Sequence, residues 1–384
     1  MINEIHWGDL SAEQFLREYW QKKPLLIRNA FPDFTPCISA DELAGLACEE
    51  DIESRLIETD VTDGTWALEH GPFSEERFSR LGNKPWTLLV QAVDHWVPEV
   101  APLMQAFNFI PQWRRDDLMI SYASDGGGVG PHYDNYDVFL LQAEGVRRWE
   151  FGGLFGEESP RRDDTPVMIL PEWQAEQSAD LNPGDMLYLP PRVGHNGVGV
   201  GDGCMTWSIG FRAPSQNEVL QGFTQALCDG LSSDLRYEDK DLQLQTQPGE
   251  IDASAIKRVH AIIQQHLNDT DALTRWFGCS MTEPKYPDLA GNDEPYTLAE
   301  LHEALEAGAE IQANEGSRFA FVNQEHPVVI LFADGHAFEL YAPAAKEFAL
   351  QLCAQEALFI QRDEAAETLL LQLLNQGSLY LNMA

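Results

Sequence analysis

His132-Tyr133-Asp134 sets an imidazole and a carboxylate two residues apart. In an extended strand such positions face the same side, about 7 Å apart, so both groups can reach one ion. A second imidazole, His195, comes 61 residues after Asp134. It follows Asn182-Pro183-Gly184-Asp185-Met186-Leu187-Tyr188-Leu189-Pro190-Pro191, which reads as a Pro-Gly-Asp turn, a short apolar strand and a proline pair that delivers the histidine at the strand's end. Two histidines and one carboxylate on one face of an octahedron leave three positions open. That arrangement suits iron(II), which must take a chelating co-substrate and dioxygen together. A lone His-x-Asp tripeptide is a weak signal. The specificity lies in its combination with a glycine-rich approach, a downstream arginine and the second histidine.

Arg147, thirteen positions after Asp134, is the candidate for gripping the co-substrate. A keto acid chelated to iron through one end leaves a distal carboxylate, and arginine's planar fork binds carboxylates with two parallel hydrogen bonds. Arg148 should face the opposite side of the same strand, so only one of the pair lines the pocket. Ser121, on the preceding strand, is a candidate hydroxyl donor to the same carboxylate, and equally an ordinary barrel serine. The run Asp125-Gly126-Gly127-Gly128-Val129-Gly130-Pro131 lacks the strand and helix context of a dinucleotide site. Its glycines let the backbone pass close to metal and substrate. Asp125, Tyr136 and Asp137 are candidates for holding a cationic substrate side chain. The remaining histidines (His6, His70, His95, His260, His266, His302, His326 and His336) show no ligand spacing, and no Gly-x-Ser-x-Gly motif supports nucleophilic catalysis.

These residues need a scaffold. Segments 118–124, 132–142, 147–152, 186–190 and 204–212 read as short strands separated by Gly, Pro and Asp, the pattern of a Greek-key barrel. Before them, Ser11 to Gln14 forms a capping box ahead of a short amphipathic helix, and Leu25-Leu26-Ile27 reads as a buried strand. After Pro214 the pattern becomes helical over 216–231 and 253–269. From Pro295 a third unit begins, with a capping box at Thr297 and Glu300, two strands, the hairpin signal Asp334-Gly335, a third strand, two helices and a terminal strand. Helices followed by a β-wing point to a winged-helix-like domain. The six cysteines lie far apart with no Cys-x-x-Cys pair, which fits reduced thiols.

The 62 acidic residues against 25 basic ones give a net charge of −37. Such a surface repels nucleic acid and anionic lipid and attracts basic partners. From Pro295 onward there are thirteen acidic residues and three basic ones, Arg318, Lys346 and Arg362, so direct DNA binding by that unit is excluded. No signal peptide and no apolar run of membrane-spanning length is seen, and the expected compartment is the cytoplasm.

With these motifs in place, the first part of the chain resembles the JmjC/cupin-like 2-oxoglutarate oxygenases. Trp20-Gln21-Lys22-Lys23-Pro24-Leu25-Leu26-Ile27, the His-x-Asp…His set and Pro183-Gly184-Asp185 through His195 all carry that likeness. More narrowly, Gly126 to Trp149 resembles the bacterial ribosomal oxygenases that hydroxylate arginine in a large-subunit ribosomal protein. The resemblance implies a multidomain α+β architecture: a double-stranded β-helix (jelly-roll, JmjC cupin) catalytic barrel over 1–213, a helical dimerisation segment over 214–285 and a winged-helix-like domain over 286–384. It implies Fe(2+) held by His132, Asp134 and His195, and 2-oxoglutarate and O2 as co-substrates, with Arg147 and Ser121 on the former. It also implies 2-oxoglutarate decarboxylation to succinate and CO2, a basic ribosomal protein as substrate, and a homodimer. The alternatives are a protein histidine hydroxylase or lysine demethylase of the same superfamily, or a cupin used as a non-enzymatic binding module.

Overall fold

Alternating residue character builds the first half of the chain. In the computed structural model, which describes residues 4–60, 62–287, 295–323 and 328–382, nine strands make one sheet. They are β1 (Leu25–Ile27), β2 (Ser54–Asp60), β3 (Thr65–His70), β4 (Trp86–Val90), β5 (Arg115–Ala123), β6 (Asp137–Leu154), β7 (Gln177–Leu181), β8 (Met186–Leu189) and β9 (Val193–Phe211). Their order is β1-β8-β6-β9-β5-β4-β2-β3, and β7 pairs with β6. The long strands β6 and β9 pair antiparallel through most of their length and bend, curling the sheet into a double-stranded β-helix. The bend falls where the register shifts between Gln142 and Val146. Gly145 sits there with φ +64°, and a Cβ on it would lie 2.5 Å from the Gly203 carbonyl oxygen, so only glycine fits.

Side chains alternate between the two faces of these strands. Phe139, Leu141, Met186, Tyr188, Met205, Trp207, Ile209 and Phe211 join Phe15 and Phe107 in one core. Val138, Leu140, Trp149, Phe151, Leu181, Leu187, Leu189 and Val193 line the inside of the curl. Each large side chain removed from water contributes about 1.5–3 kcal/mol before entropy is counted. Among the described residues four short α-helices accompany the sheet, α1 (Ala12–Glu18), α2 (Ala40–Leu46), α3 (Glu75–Ser79) and α4 (Val93–Trp96), with two 3-10 turns at Ala101–Phe107 and Gln112–Arg114. The capping box at α1 forms, with the Ser11 hydroxyl accepting from Gln14 N and the Gln14 side chain accepting from Ser11 N.

The chain divides into two units, Met1–Ala213 and Pro214–Ala384. The second contains α5 (Gln216–Gly230), α6 (Ala253–Leu267), α7 (Thr270–Thr282), α8 (Leu298–Glu306), β10 (Glu310–Ala313), β11 (Phe319–Asn323), β12 (Val329–Ala333), β13 (His336–Leu340), α9 (Pro343–Ala354), α10 (Glu364–Asn375) and β14 (Leu379–Asn382). β11, β12 and β13 form the wing, turning at Asp334 (φ 48°) and Gly335 (φ 81°), as the Asp-Gly dipeptide predicts. The sequence pattern passed over α7. It packs on α5 through Trp276 and Phe223 and on the wing through Gly278 and Phe332. The helical segment and the winged-helix-like domain are therefore one unit, and the expected border at 285/286 falls inside it. His326 lies outside the described residues. Among the described residues no helix is long and apolar enough to cross a membrane.

Candidate metal centre

The strand expected over 132–142 begins only at Asp137. Asp134 is therefore presented from irregular chain just before a bend rather than from a regular strand. His132 instead forms an isolated antiparallel bridge with His195, whose two hydrogen bonds run from His132 N to the His195 carbonyl (2.9 Å) and back from His195 N to the His132 carbonyl (2.8 Å). Gly130 and Pro131 turn the chain into this bridge. His132 Nδ1 lies 2.8 Å from the Gly130 carbonyl oxygen, and His195 Nδ1 lies 3.0 Å from that of Val193. A carbonyl oxygen only accepts, so both Nδ1 atoms carry the proton and both Nε2 lone pairs are free.

Those lone pairs converge on one carboxylate. His195 Nε2 is 3.5 Å from Asp134 Oδ2 and His132 Nε2 is 3.9 Å from it. One donor atom from each of the three residues lies within 4.8 Å of the others. Burial, followed by the neighbouring His132, pushes the His195 pKa down to about 4, so its imidazole is neutral at physiological pH, as a ligand must be. Two imidazole nitrogens and one carboxylate oxygen can hold a divalent metal and leave coordination positions open.

Arg147 is 4% exposed. It lies on the inner face of β6, two residues before Trp149, whose ring stands 5.7 Å from the guanidinium carbon and 5.9 Å from the His195 ring. Its Nη1 donates to Ser121 Oγ at 3.4 Å, while Nη2 has no hydrogen-bond partner among the described residues. Burying a cation without a counter-charge costs several kcal/mol, and the donor set fits an anionic ligand. Arg148 points outward and pairs with Asp180, the two side chains being 54% and 43% exposed.

The three candidates for a substrate side chain separate. Tyr136 stays beside the metal centre: burial of its hydroxyl end and the charge of Asp134, to which it hydrogen-bonds, push the phenol pKa up, although 43% of the residue is exposed. Asp125 is exposed and caps a turn, its Oδ1 accepting from Gly201 N at 2.7 Å. Asp137 does not face the site at all. It is fully buried and accepts from Tyr188 Oη at 2.6 Å, Gln21 Nε2 at 2.9 Å and Arg114 Nη2 at 3.3 Å. A structural role explains it, and the expectation of substrate contact is corrected.

Sequence reasoning passed over the polar lining around Arg147. Gln142, Cys204 and Thr206 are each buried there, with Thr206 Oγ1 donating to Gln142 Oε1 at 3.0 Å. A signal was available: Cys204, Thr206 and Ser208 alternate with Met205, Trp207 and Ile209, so one face of that strand is small and polar.

A double-stranded β-helix that gathers two histidines and an aspartate in this way is the architecture of JmjC-type proteins, and comparison with known proteins agrees. The JmjC domain model matches residues 102–219, and the ROXA-like winged helix model matches residues 265–380. The Escherichia coli K12 ribosomal protein uL16 3-hydroxylase is 36% identical over 307 residues, covering 79% of each chain. A probable ribosomal oxygenase of Haemophilus influenzae is 34% identical over 87% of this chain and 81% of that one. The crystal structure of E. coli YcfD superposes with a TM-score of 0.88 at 31% identity, covering 99% of this chain and 100% of that one. A structure of E. coli YcfD, described as a ribosomal oxygenase in complex with cobalt and 2-oxoglutarate, gives a TM-score of 0.85 at 31% identity over 99% of both chains. The chain belongs to the ribosomal oxygenase family, with a JmjC domain followed by a ROXA-like winged helix.

Proposed function

We propose that this chain is an iron(II)- and 2-oxoglutarate-dependent oxygenase that hydroxylates an arginine side chain of a large-subunit ribosomal protein. The observation that carries the oxygenase reading is the pairing of a converged His132, Asp134 and His195 set with a buried arginine whose Nη2 is unpartnered. A pure binding module has no use for both. The substrate class is supported by the 36% identity to a uL16 hydroxylase and by the net charge of −37, which draws in strongly basic ribosomal proteins.

His132, Asp134 and His195 would hold the iron, and Arg147 with Ser121 the distal carboxylate of 2-oxoglutarate. When bound, the iron couples decarboxylation of 2-oxoglutarate to succinate and CO2 with insertion of one oxygen atom from O2 into a substrate C–H bond. The protein's own part is positional. The backbone bridge between His132 and His195 fixes the ligand rings, Arg147 aligns the co-substrate, and the apolar inner face around Val138, Leu140, Phe151 and Leu189 keeps bulk water away. Tyr136 and Asp125 are the candidates for gripping the substrate at the rim.

The second unit also has a role in this reading. On α6 no residue is buried, and Ile256, Val259, Ile263 and Leu267, 58%, 45%, 50% and 41% exposed, fall on one face. A second copy of the chain covers that stripe in a homodimer. The acidic winged-helix-like domain meets protein rather than DNA, and the enzyme works in the cytoplasm, where ribosomes are built.

The test is intact-mass spectrometry of a basic ribosomal-protein mixture incubated with enzyme, iron(II), ascorbate and 2-oxoglutarate, beside an Asp134→Ala control. A gain of about 16 Da on an arginine-containing peptide, absent from the control, is the expected result. Turnover of 2-oxoglutarate with no mass change would reject the substrate and keep the oxygenase. No turnover would reject both.

A further inference from the structure

Arg147 is oriented by two side-chain hydrogen bonds, and one of the acceptors is a thiol. Its Nε donates to Cys204 Sγ at 3.3 Å and its Nη1 to Ser121 Oγ at 3.4 Å, while Nη2 is buried and unpartnered. Cys204 itself is fully buried and receives a second N–H, from Gln142 Nε2 at 3.5 Å. Gln142 is held in turn by Thr206 (3.0 Å) and by the Glu144 carbonyl (2.7 Å). The cysteine is fixed by main chain as well: a Cβ on Gly145 would come within 3.1 Å of its Cα, and one on Gly199 within 3.4 Å of its Cβ. The register bulge of β6 therefore sets where the sulfur sits.

The chemistry of that position is unusual for a neighbour of arginine. A carboxylate there would neutralise the guanidinium and occupy the place of an incoming anion. A thiol is a weak acceptor. It turns the guanidinium plane without cancelling its charge, so the Nη1/Nη2 edge remains open to an incoming carboxylate. We propose that Cys204 is a positioning residue for co-substrate binding: through Nε it orients Arg147 so that the end-on fork meets the distal carboxylate of 2-oxoglutarate. This rests on Arg147 binding that carboxylate, and the controls separate the two.

The experiment uses the full-length enzyme loaded anaerobically with iron(II) and titrated with 2-oxoglutarate. Binding is followed by the charge-transfer absorption of the complex, and kcat and KM for 2-oxoglutarate are measured separately in air. Loss of one weak hydrogen bond to a charged group should raise Kd and KM in Cys204→Ala by roughly three- to tenfold. Iron affinity and kcat at saturation should stay unchanged, while truncation of this fully buried side chain lowers the melting temperature modestly. Cys204→Ser, which restores an acceptor, should recover most of the affinity. Wild-type 2-oxoglutarate affinity in Cys204→Ala, with binding lost in Arg147→Met, overturns the role of Cys204 alone. Undiminished binding in Arg147→Met overturns the parent reading and this inference with it. A Cys204→Ala protein that loses iron and 2-oxoglutarate affinity together makes the residue merely structural and also overturns the proposal.

Discussion

Gly197→Ala is a one-carbon change that should disturb the site without touching a ligand. Gly197 lies two residues beyond His195 on the same strand, and β6 sets Trp149 opposite Gly197 and Phe151 opposite His195. A Cβ on Gly197 would stand 2.6 Å from Trp149 Cη2 and Cζ3 and 2.8 Å from Cζ2. Relief to ordinary contact requires the indole to move by about 1 Å. Trp149 is 4% exposed and hemmed in by Leu187, Leu189 and Val193, so it cannot simply swing away. Overpacking of this kind costs about 1–3 kcal/mol. The indole stands between His195 and Arg147, so the displacement should also reach the metal and co-substrate contacts. The expected outcome is a lower melting temperature for the first unit and a roughly tenfold rise in KM for 2-oxoglutarate, from a sub-ångström misplacement of its arginine. The matched control is Gly45→Ala in α2, where a Cβ meets nothing within 4 Å; helix propensity alone should stabilise it by about 0.5–1 kcal/mol. A Gly197→Ala enzyme with wild-type stability and wild-type 2-oxoglutarate kinetics would refute the reasoning, because Trp149 would then have free space that the structure denies it.

Four further outcomes are expected. Asp134→Ala should abolish stoichiometric binding of iron(II) or manganese(II) in calorimetry while the protein stays folded by circular dichroism. Arg148→Ala should leave KM for 2-oxoglutarate unchanged and stability within about 0.5 kcal/mol, since its partner Asp180 is solvated. Ile256→Asp combined with Ile263→Asp on α6 should yield a monomer by sedimentation equilibrium, and a persistent dimer would remove that helix from the interface. Burial raises the pKa of Asp137 above its ordinary 3.8 in spite of hydrogen bonds from Tyr188 and Gln21. Its contribution to stability is therefore fully present below 3.8 and declines as pH rises through the raised value. Asp137→Asn should flatten that decline in denaturant unfolding followed from about pH 3.5 to 7, and an unchanged slope would place the loss elsewhere.

The candidate ligands were legible because their chemistry is carried by residue type and spacing: the three residues that the sequence pattern picks out, His132, Asp134 and His195, are also brought together in space. Arg147 was legible through strand parity, which also sent Arg148 outward. Parity failed at Asp137. The strand begins there rather than at His132, and a carboxylate expected at the pocket instead meets Tyr188, Gln21 and Arg114 on the opposite face. None of those partners is near it in sequence. The strands β2, β3 and β7 went unread because none carries a clean apolar alternation: β2 buries Ser54 and sets the buried Leu56 and Ile57 side by side, most positions of β3 are exposed, and β7 buries only Leu181. Helix α7 was hidden for a related reason: it is buried through single residues such as Gly278, packed against the Phe332 ring, rather than along an apolar stripe.

The two histidine rings take their orientation from carbonyls two residues upstream of each, at Gly130 and Val193, and from the reciprocal amide bridge between His132 and His195. Elsewhere such rings are commonly aimed by carboxylate side chains, which mutation can delete. Here the aiming groups belong to the main chain, which the loss of a side chain does not delete. The surroundings of the site are consequently free to diverge in sequence while the tautomers stay fixed. A lineage can retune what enters the pocket, and at what affinity, without re-solving how the two rings are aimed.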